Sequence, residues 1–160
     1  MTTNLINFII DTKILLGGSS SENEVLPKSN FDDINIDIKH LKIKNSNIKE
    51  AGLGVFTDKK LKINDIVEIA PVLKVQTNYL FQPNNVLNDY IFRDTNSDEY
   101  KLVALGYGSM YNHSDTPNLK YYCENDKMIY QATRDIDLDE ELYISYGPSW
   151  WKSRTSKLKV

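Results

Sequence analysis

Three short blocks of the chain combine backbone-permissive glycines with polar side chains in a way that could hold a small ligand. They are Gly52-Leu53-Gly54-Val55-Phe56, then Gly106-Tyr107-Gly108-Ser109-Met110-Tyr111-Asn112-His113-Ser114, then Glu140-Glu141-Leu142-Tyr143-Ile144-Ser145-Tyr146-Gly147. Asn112 carries an amide that both donates and accepts, and His113 has two distinct ring nitrogens, so the pair can fix a ligand's ammonium and amino groups by geometry. A histidine in an apolar strand is ordinarily a satisfied structural residue, but the adjacent Asn112 and the Ser114 to Pro117 turn favour a ligand role. His40 has no such context and reads as structural. Gly52-Leu53-Gly54 is open to two readings, a ligand loop or a bare glycine turn between strands. A dinucleotide loop is excluded, because its third glycine would fall at Thr57 and no long helix follows.

The elements around these blocks read as strands. Ile34, Ile36 and Ile38, then Leu41 and Ile43, alternate with polar residues at a period of two. The same pattern returns at Gly54 to Thr57, Ile66 to Val75, Val86 to Phe92, Lys101 to Leu105, Leu119 to Cys123, Met128 to Thr133 and Glu141 to Tyr146, separated by Asn, Asp and Gly turns. No helical period lasts beyond a turn or two, so a mainly β domain is expected. Gly17-Gly18-Ser19-Ser20-Ser21-Glu22-Asn23-Glu24 reads as a flexible linker. Asp135-x-Asp137-x-Asp139 imitates a calcium loop, but Glu140 replaces the required glycine and Tyr146 the final glutamate, so it reads as a charged turn.

At 160 residues the chain suits one domain with its own core. The single cysteine, Cys123, excludes an internal disulfide and a four-ligand zinc site, which points to an intracellular, metal-free protein. The apolar run from Ile6 to Leu16 is interrupted by Asp11 and Lys13, far short of the ~20 residues that cross a bilayer, and it lacks the features of a signal peptide. No membrane association is expected, and these apolar residues are candidates for docking or self-association as a homodimer. A net charge of -3 argues against direct nucleic-acid binding. Acidic residues gather at Asp94, Asp98 and Glu99, at Glu124 and Asp126, and from Asp135 to Glu141. They suit either a lysine-rich peptide or simple solvated turns.

The order and spacing of the three blocks resemble the SET-domain protein lysine methyltransferases, over roughly Asp37 to Arg154. The likeness extends to the compact single-domain viral enzymes that modify histone H3, in the Tyr146-Gly147 strand end followed by Trp150-Trp151 and Lys152-Ser153-Arg154. The resemblance implies a domain of several short sheets with a knot-like threading of the C-terminal segment, preceded by an extension over residues 1–36 and followed by a tail over 155–160. It implies S-adenosylmethionine as cofactor, with a lysine-containing protein tail as partner, histone H3 foremost, and hence the nucleus of a eukaryotic host. A non-histone substrate and a catalytically inactive peptide-binding module are the alternatives. The Asn- and Ile-rich composition suggests an AT-rich genome.

Residue by residue, the resemblance assigns Gly52, Leu53, Gly54, Asn112 and His113 to the cofactor, with Trp151 packing near the adenine and Tyr90 near both cofactor and channel. Glycines suit such a loop because they let backbone approach closely. Tyr111, Ile144 and Trp150, with Tyr90, would border the substrate. Many family members roof the site with a zinc-bound cysteine triplet, but no cysteine follows Gly147, so Trp150 and Trp151 are the expected roof. Methyl transfer from a sulfonium to an amine needs nitrogen, methyl and sulfur in line and the amine neutral. A lysine with a pKa of ~10.4 is almost wholly protonated at neutral pH, and an apolar channel beside a positive sulfonium lowers that value. Tyr146 is the expected residue at the reacting centre, contacting cofactor and substrate amine through weak C–H···O contacts and its π-face. Ile144 lacks the hydroxyl that would anchor a blocking water and so favours higher methylation, whereas the bulk of Trp150 opposes it.

Overall fold

The computed structural model describes residues 38–80 and 86–152. The N-terminal extension with its Gly/Ser linker, the first alternating residues Ile34 and Ile36, and the C-terminal tail lie outside the described residues. Nine strands are described: β1 (Leu41–Asn45), β2 (Leu53–Thr57), β3 (Ile66–Gln76), β4 (Phe92–Arg93), β5 (Tyr100–Ala104), β6 (Asn112–His113), β7 (Leu119–Glu124), β8 (Lys127–Ala132) and β9 (Tyr143–Ile144). Two short helices, α1 (Thr77–Leu80) and α2 (Pro148–Lys152), complete the regular structure with two 3-10 turns, Val86–Asp89 and Gly108–Met110. The protein is mainly β, as its alternating sequence implies.

The strands form three sheets. β1 and β2 are an antiparallel pair with Leu41 opposite Thr57. The largest sheet has the order β4-β5-β3-β8-β7 and is antiparallel throughout, and β6 with β9 makes a short parallel pair. β3 serves two partners in succession: Ile66 to Pro71 face β8, and Val72 to Gln76 face β5. Pro71 falls at that change of partner, where a missing N–H is least disruptive to a ladder. The β7–β8 hairpin closes through Asn125 and Asp126, both at positive φ, the combination that a two-residue turn matched to strand twist demands. β8 buries Met128, Tyr130 and Ala132 in alternation, and these pack with Val67, Ala70 and Leu119 at the centre of the core.

Two expectations need correction. Val86 to Phe92 is not a strand: its first residues form a 3-10 turn, Tyr90 N–H donates to the Leu87 carbonyl, and only Phe92–Arg93 pair with β5. Val86 and Leu87 are exposed, so no buried face rewards the alternation, and Asn88-Asp89 favour a local turn. Glu141 to Tyr146 is a strand only at Tyr143–Ile144. Its first residues are drawn to β2, where Glu141 bridges Phe56 and Leu142 N–H donates to the Val55 carbonyl at 2.8 Å. His40 is buried just before β1, and its carbonyl accepts from Asp58 N–H.

The acidic run near the last strand meets lysines from the rest of the chain. Asp135, Asp137 and Asp139 pair with Lys62, Lys60 and Lys44 respectively. Such exposed pairs add little stability, but they answer much of the charge that a basic peptide would otherwise meet.

Candidate active site

The site is built where β6 and β9 lie side by side. Their parallel register sets Asn112 against Tyr143 and His113 against Ile144, and Ser114 N–H donates to the Ile144 carbonyl at 3.0 Å. Tyr146, just beyond β9, is therefore carried back over His113. Its backbone N–H donates to His113 Nδ1 at 3.1 Å, and its hydroxyl donates to the Tyr111 carbonyl at 2.9 Å. Because Nδ1 accepts, the ring proton belongs on Nε2, which lies 3.2 Å from an Asp115 carboxylate oxygen. The Tyr146 side chain is thus fixed at both its backbone and its hydroxyl end.

Four aromatic rings gather here. Gly147, at φ +76, turns the chain out of the last strand, and Pro148 opens α2 at the position where a helix tolerates proline best. The Trp150 ring comes to 4.8 Å from Tyr146, and Trp151 to 4.9 Å from His113, with the two indoles 4.6 Å apart edge to face. Offset and edge-on contacts of this kind add to the burial each ring contributes. The result is a partly exposed aromatic surface, with Tyr146 touching both indoles.

Beside it, the buried carboxylate of Glu141 ties Asn112 and Tyr143 to the turn that follows β1. It accepts from Ser46 Oγ at 2.8 Å, Asn47 N–H at 2.7 Å, Asn112 Nδ2 at 3.0 Å and the Tyr143 hydroxyl at 2.8 Å. A charge removed from water is tolerable only with such a set of donors. Partial burial, reinforced by the bond to Glu141, pushes the Tyr143 phenol up to about 12. Asn112 Nδ2 also lies 3.0 Å from the Leu53 carbonyl, which joins the glycine loop to β6. Asn118 secures the last strand from the other side, donating to the Glu141 carbonyl at 2.8 Å and accepting from Tyr143 N–H at 2.7 Å.

The residues named from sequence divide into two groups. Leu53, Asn112, His113, Tyr146, Trp150 and Trp151 come together through the contacts above, and Gly52 and Gly54 flank Leu53 in the chain. Gly52 has φ +80 and open space where a Cβ would stand, whereas the corresponding space at Gly54 is filled by the Glu141 carboxylate. Asn112 spends its amide hydrogens on the chain's own acceptors. The side chains of Tyr111 and Ile144 turn into the core, each 1% exposed, and the Tyr111 hydroxyl donates to Glu68 at 2.7 Å. What Tyr111 presents to the site is its carbonyl. Tyr90 is exposed beyond the first 3-10 turn, and no ring contact joins it to Tyr146 or the tryptophans among the described residues.

Sequence reasoning missed Ser46, Asn47, Glu68, Asn118 and Glu141. A faint signal existed for Glu68, a lone carboxylate in the apolar run Ile66-Val67-Glu68-Ile69-Ala70.

Comparison with known proteins agrees with this geometry. The family model described as the SET domain matches residues 52–147, more than half of the chain. The chain belongs to the SET-domain family of protein lysine methyltransferases. It is 36% identical over 104 residues to a Schizosaccharomyces pombe protein named a histone-lysine N-methyltransferase specific for lysine 37 of histone H3, a match covering 62% of this chain and 69% of the relative. It also resembles a solved Plasmodium falciparum structure described as a candidate histone methyltransferase, with TM-score 0.56 and 39% identity, covering 70% of this chain and 96% of that one. A structure of apo ctPRC2 with a mutated Ezh2 aligns with TM-score 0.60 at 18% identity, over 71% of this chain and 16% of the other, and shows the fold alone. The SET-domain match spans all three blocks, from Gly52 to Gly147.

SET-domain methyltransferases in general use S-adenosylmethionine as methyl donor. The residues present suit such a group: Gly52 and Gly147 leave open space where a Cβ would stand, and His113 with Trp151 offers a flat apolar face.

Proposed function

We propose that this chain transfers methyl groups from S-adenosylmethionine to the ε-amine of a lysine in a histone H3 tail. The observation that carries the proposal is the double anchoring of Tyr146, by His113 at its backbone and by the Tyr111 carbonyl at its hydroxyl. A hydroxyl whose hydrogen is committed inward keeps its lone pairs outward, ready to accept C–H···O contacts from a transferring methyl and to orient an amine. When bound, the cofactor supplies an electrophilic methyl on a cationic sulfur. Gly52, Leu53, Asn112, His113 and Trp151 hold it, and Trp150 with Tyr146 walls the approach of the lysine.

The basic groups of the three blocks are engaged by the chain itself: His113 Nδ1 accepts from Tyr146 N–H, Glu141 from four donors, and Glu140 from Arg134 and Asp137 N–H. The reading therefore assigns the rate to alignment and to a dry aromatic surface that favours the neutral amine. Histone H3 as substrate is supported by the name of the fission-yeast relative. With that substrate the protein works in a nucleus, residues 37–154 carry the activity, and the segment from Met1 to roughly Asn30 is dispensable for chemistry on a peptide.

The proposal is tested by incubating the purified protein with labelled S-adenosylmethionine and either core histones or a histone-free lysate. Mass spectrometry of the products should find methylated lysine on histone H3. Label confined to non-histone protein would overturn the substrate, and no label on any protein would overturn the activity.

A further inference from the structure

Glu68 is an acid in the middle of β3, buried at 3% exposure, and nothing in the site as described above uses it. A carboxyl group in such a place costs folding energy unless its oxygens are occupied. Both are, and both partners belong to the turn that leads into β6. Oε2 accepts from the Tyr111 hydroxyl at 2.7 Å, and Oε1 accepts from Tyr107 N–H at 2.8 Å. The turn is shaped around the carboxyl group: Gly106 has φ +67, and a Cβ there would lie 2.5 Å from Oε1. Tyr130, the cross-strand partner of Glu68, donates its hydroxyl to the Gly108 carbonyl at 2.7 Å, and its ring lies 4.7 Å from that of Tyr111.

Tyr111 is consequently held at two ends. Its hydroxyl is fixed by Glu68, and its carbonyl receives the hydroxyl hydrogen of Tyr146 at 2.9 Å. We propose that Glu68 is a positioning residue for methyl transfer: acting through Tyr111, it fixes the carbonyl that aims the Tyr146 hydroxyl. The inference rests on the reading of Tyr146 as the residue at the reacting centre. A glutamine could not replace it fully, since the turn presents two donors and a glutamine side chain has one acceptor oxygen. A loosened carbonyl lets the Tyr146 hydroxyl rotate, and misplacement by about 1 Å can cost on the order of 10²-fold in rate.

The test is a double-mutant cycle on the full chain with a histone H3 tail peptide, using wild type, Tyr111→Phe, Tyr146→Phe and the double variant. Melting curves and calorimetric titration with S-adenosylmethionine accompany the kinetics. Tyr111→Phe should lower kcat about tenfold with cofactor affinity unchanged. The double variant should be no slower than Tyr146→Phe alone, because a ring without a hydroxyl has nothing left to aim. A second cycle with Glu68→Gln in place of Tyr111→Phe should give the same pattern and covers the case in which Tyr111→Phe fails to fold. Losses that multiply in the double variants, or wild-type kcat in Tyr111→Phe and Glu68→Gln, would overturn the inference while leaving Tyr146 in its role. Wild-type turnover in Tyr146→Phe alone would instead overturn the reading of Tyr146, and the inference with it.

Discussion

The carboxylate of Glu141 stands where a side chain at Gly54 would have to be, since a Cβ built there lies 2.0 Å from Oε1. That oxygen cannot swing away, because Ser46 and Asn112 donate to it while Asn47 and Tyr143 hold its companion. The glycine that ends the Gly52-Leu53-Gly54 loop is therefore required by a residue from the far end of the chain. Gly54→Ala should destabilise the fold by roughly 2 kcal/mol or more, combining overpacking with a disturbed buried carboxylate. It should weaken S-adenosylmethionine binding as well. Urea denaturation checks the first effect and calorimetry the second, and a stability equal to wild type would show that Glu141 can relocate freely.

His113 accepts from Tyr146 N–H and packs against Tyr146 and Trp151. His113→Ala leaves that N–H without its acceptor and opens a gap under the indole. A loss of about 1–3 kcal/mol in stability is expected, together with weaker cofactor binding. Unchanged affinity and an unchanged melting temperature would make His113 a bystander.

The blocks were legible because their signals are local. Asn112-His113, Tyr146-Gly147 and the glycine turn each carry a short motif, and the alternation in β5 and β8 states a half-buried strand directly. What joins the blocks was not legible. Ser46 and Glu141 are 95 positions apart, Tyr111 and Glu68 are 43 apart, and no period in a sequence announces contacts of that span. Tyr111 and Ile144 were assigned to the substrate by the family resemblance. The parallel register of β6 and β9 decides otherwise for their side chains, which fill the core. Val86 to Phe92 misled because alternation without a face to bury is not a strand.

Trp150 lies against Tyr146 and is bulkier than a phenylalanine or tyrosine in its place would be. Trp150→Phe should keep activity and shift the products toward di- and trimethyl-lysine. A time course on an H3 tail peptide, followed by mass spectrometry for both proteins, reads this directly. An identical product distribution would show that Trp150 does not border the accepting amine.

Burial raises the Glu68 carboxyl above the ordinary glutamate range, against the opposing pull of its bonds to Tyr111 and Tyr107. A raised folded-state value means that the unfolded chain gives up this proton more readily. The contribution of Glu68 to stability is therefore complete below the ordinary value of 4.5 and declines as pH rises through the raised one. Across that window wild type should lose stability relative to Glu68→Gln, by up to about 1.4 kcal/mol per pH unit. Denaturation curves of the two proteins at a series of pH values measure the difference. A difference that is flat with pH would show that the fold prefers neither form, and one that grows in favour of wild type would place the ionised form as the preferred one.

The measurement that bears most directly on the whole account is methyl transfer by Tyr146→Phe beside wild type, with S-adenosylmethionine and a histone H3 tail peptide, followed by mass spectrometry. Wild type should add methyl groups to a lysine of the peptide. The variant, which loses only the hydroxyl held by the Tyr111 carbonyl, should bind cofactor and melt like wild type while turning over at least about tenfold more slowly. Equal turnover by the two proteins, or a wild type that binds cofactor yet methylates no lysine, would contradict it.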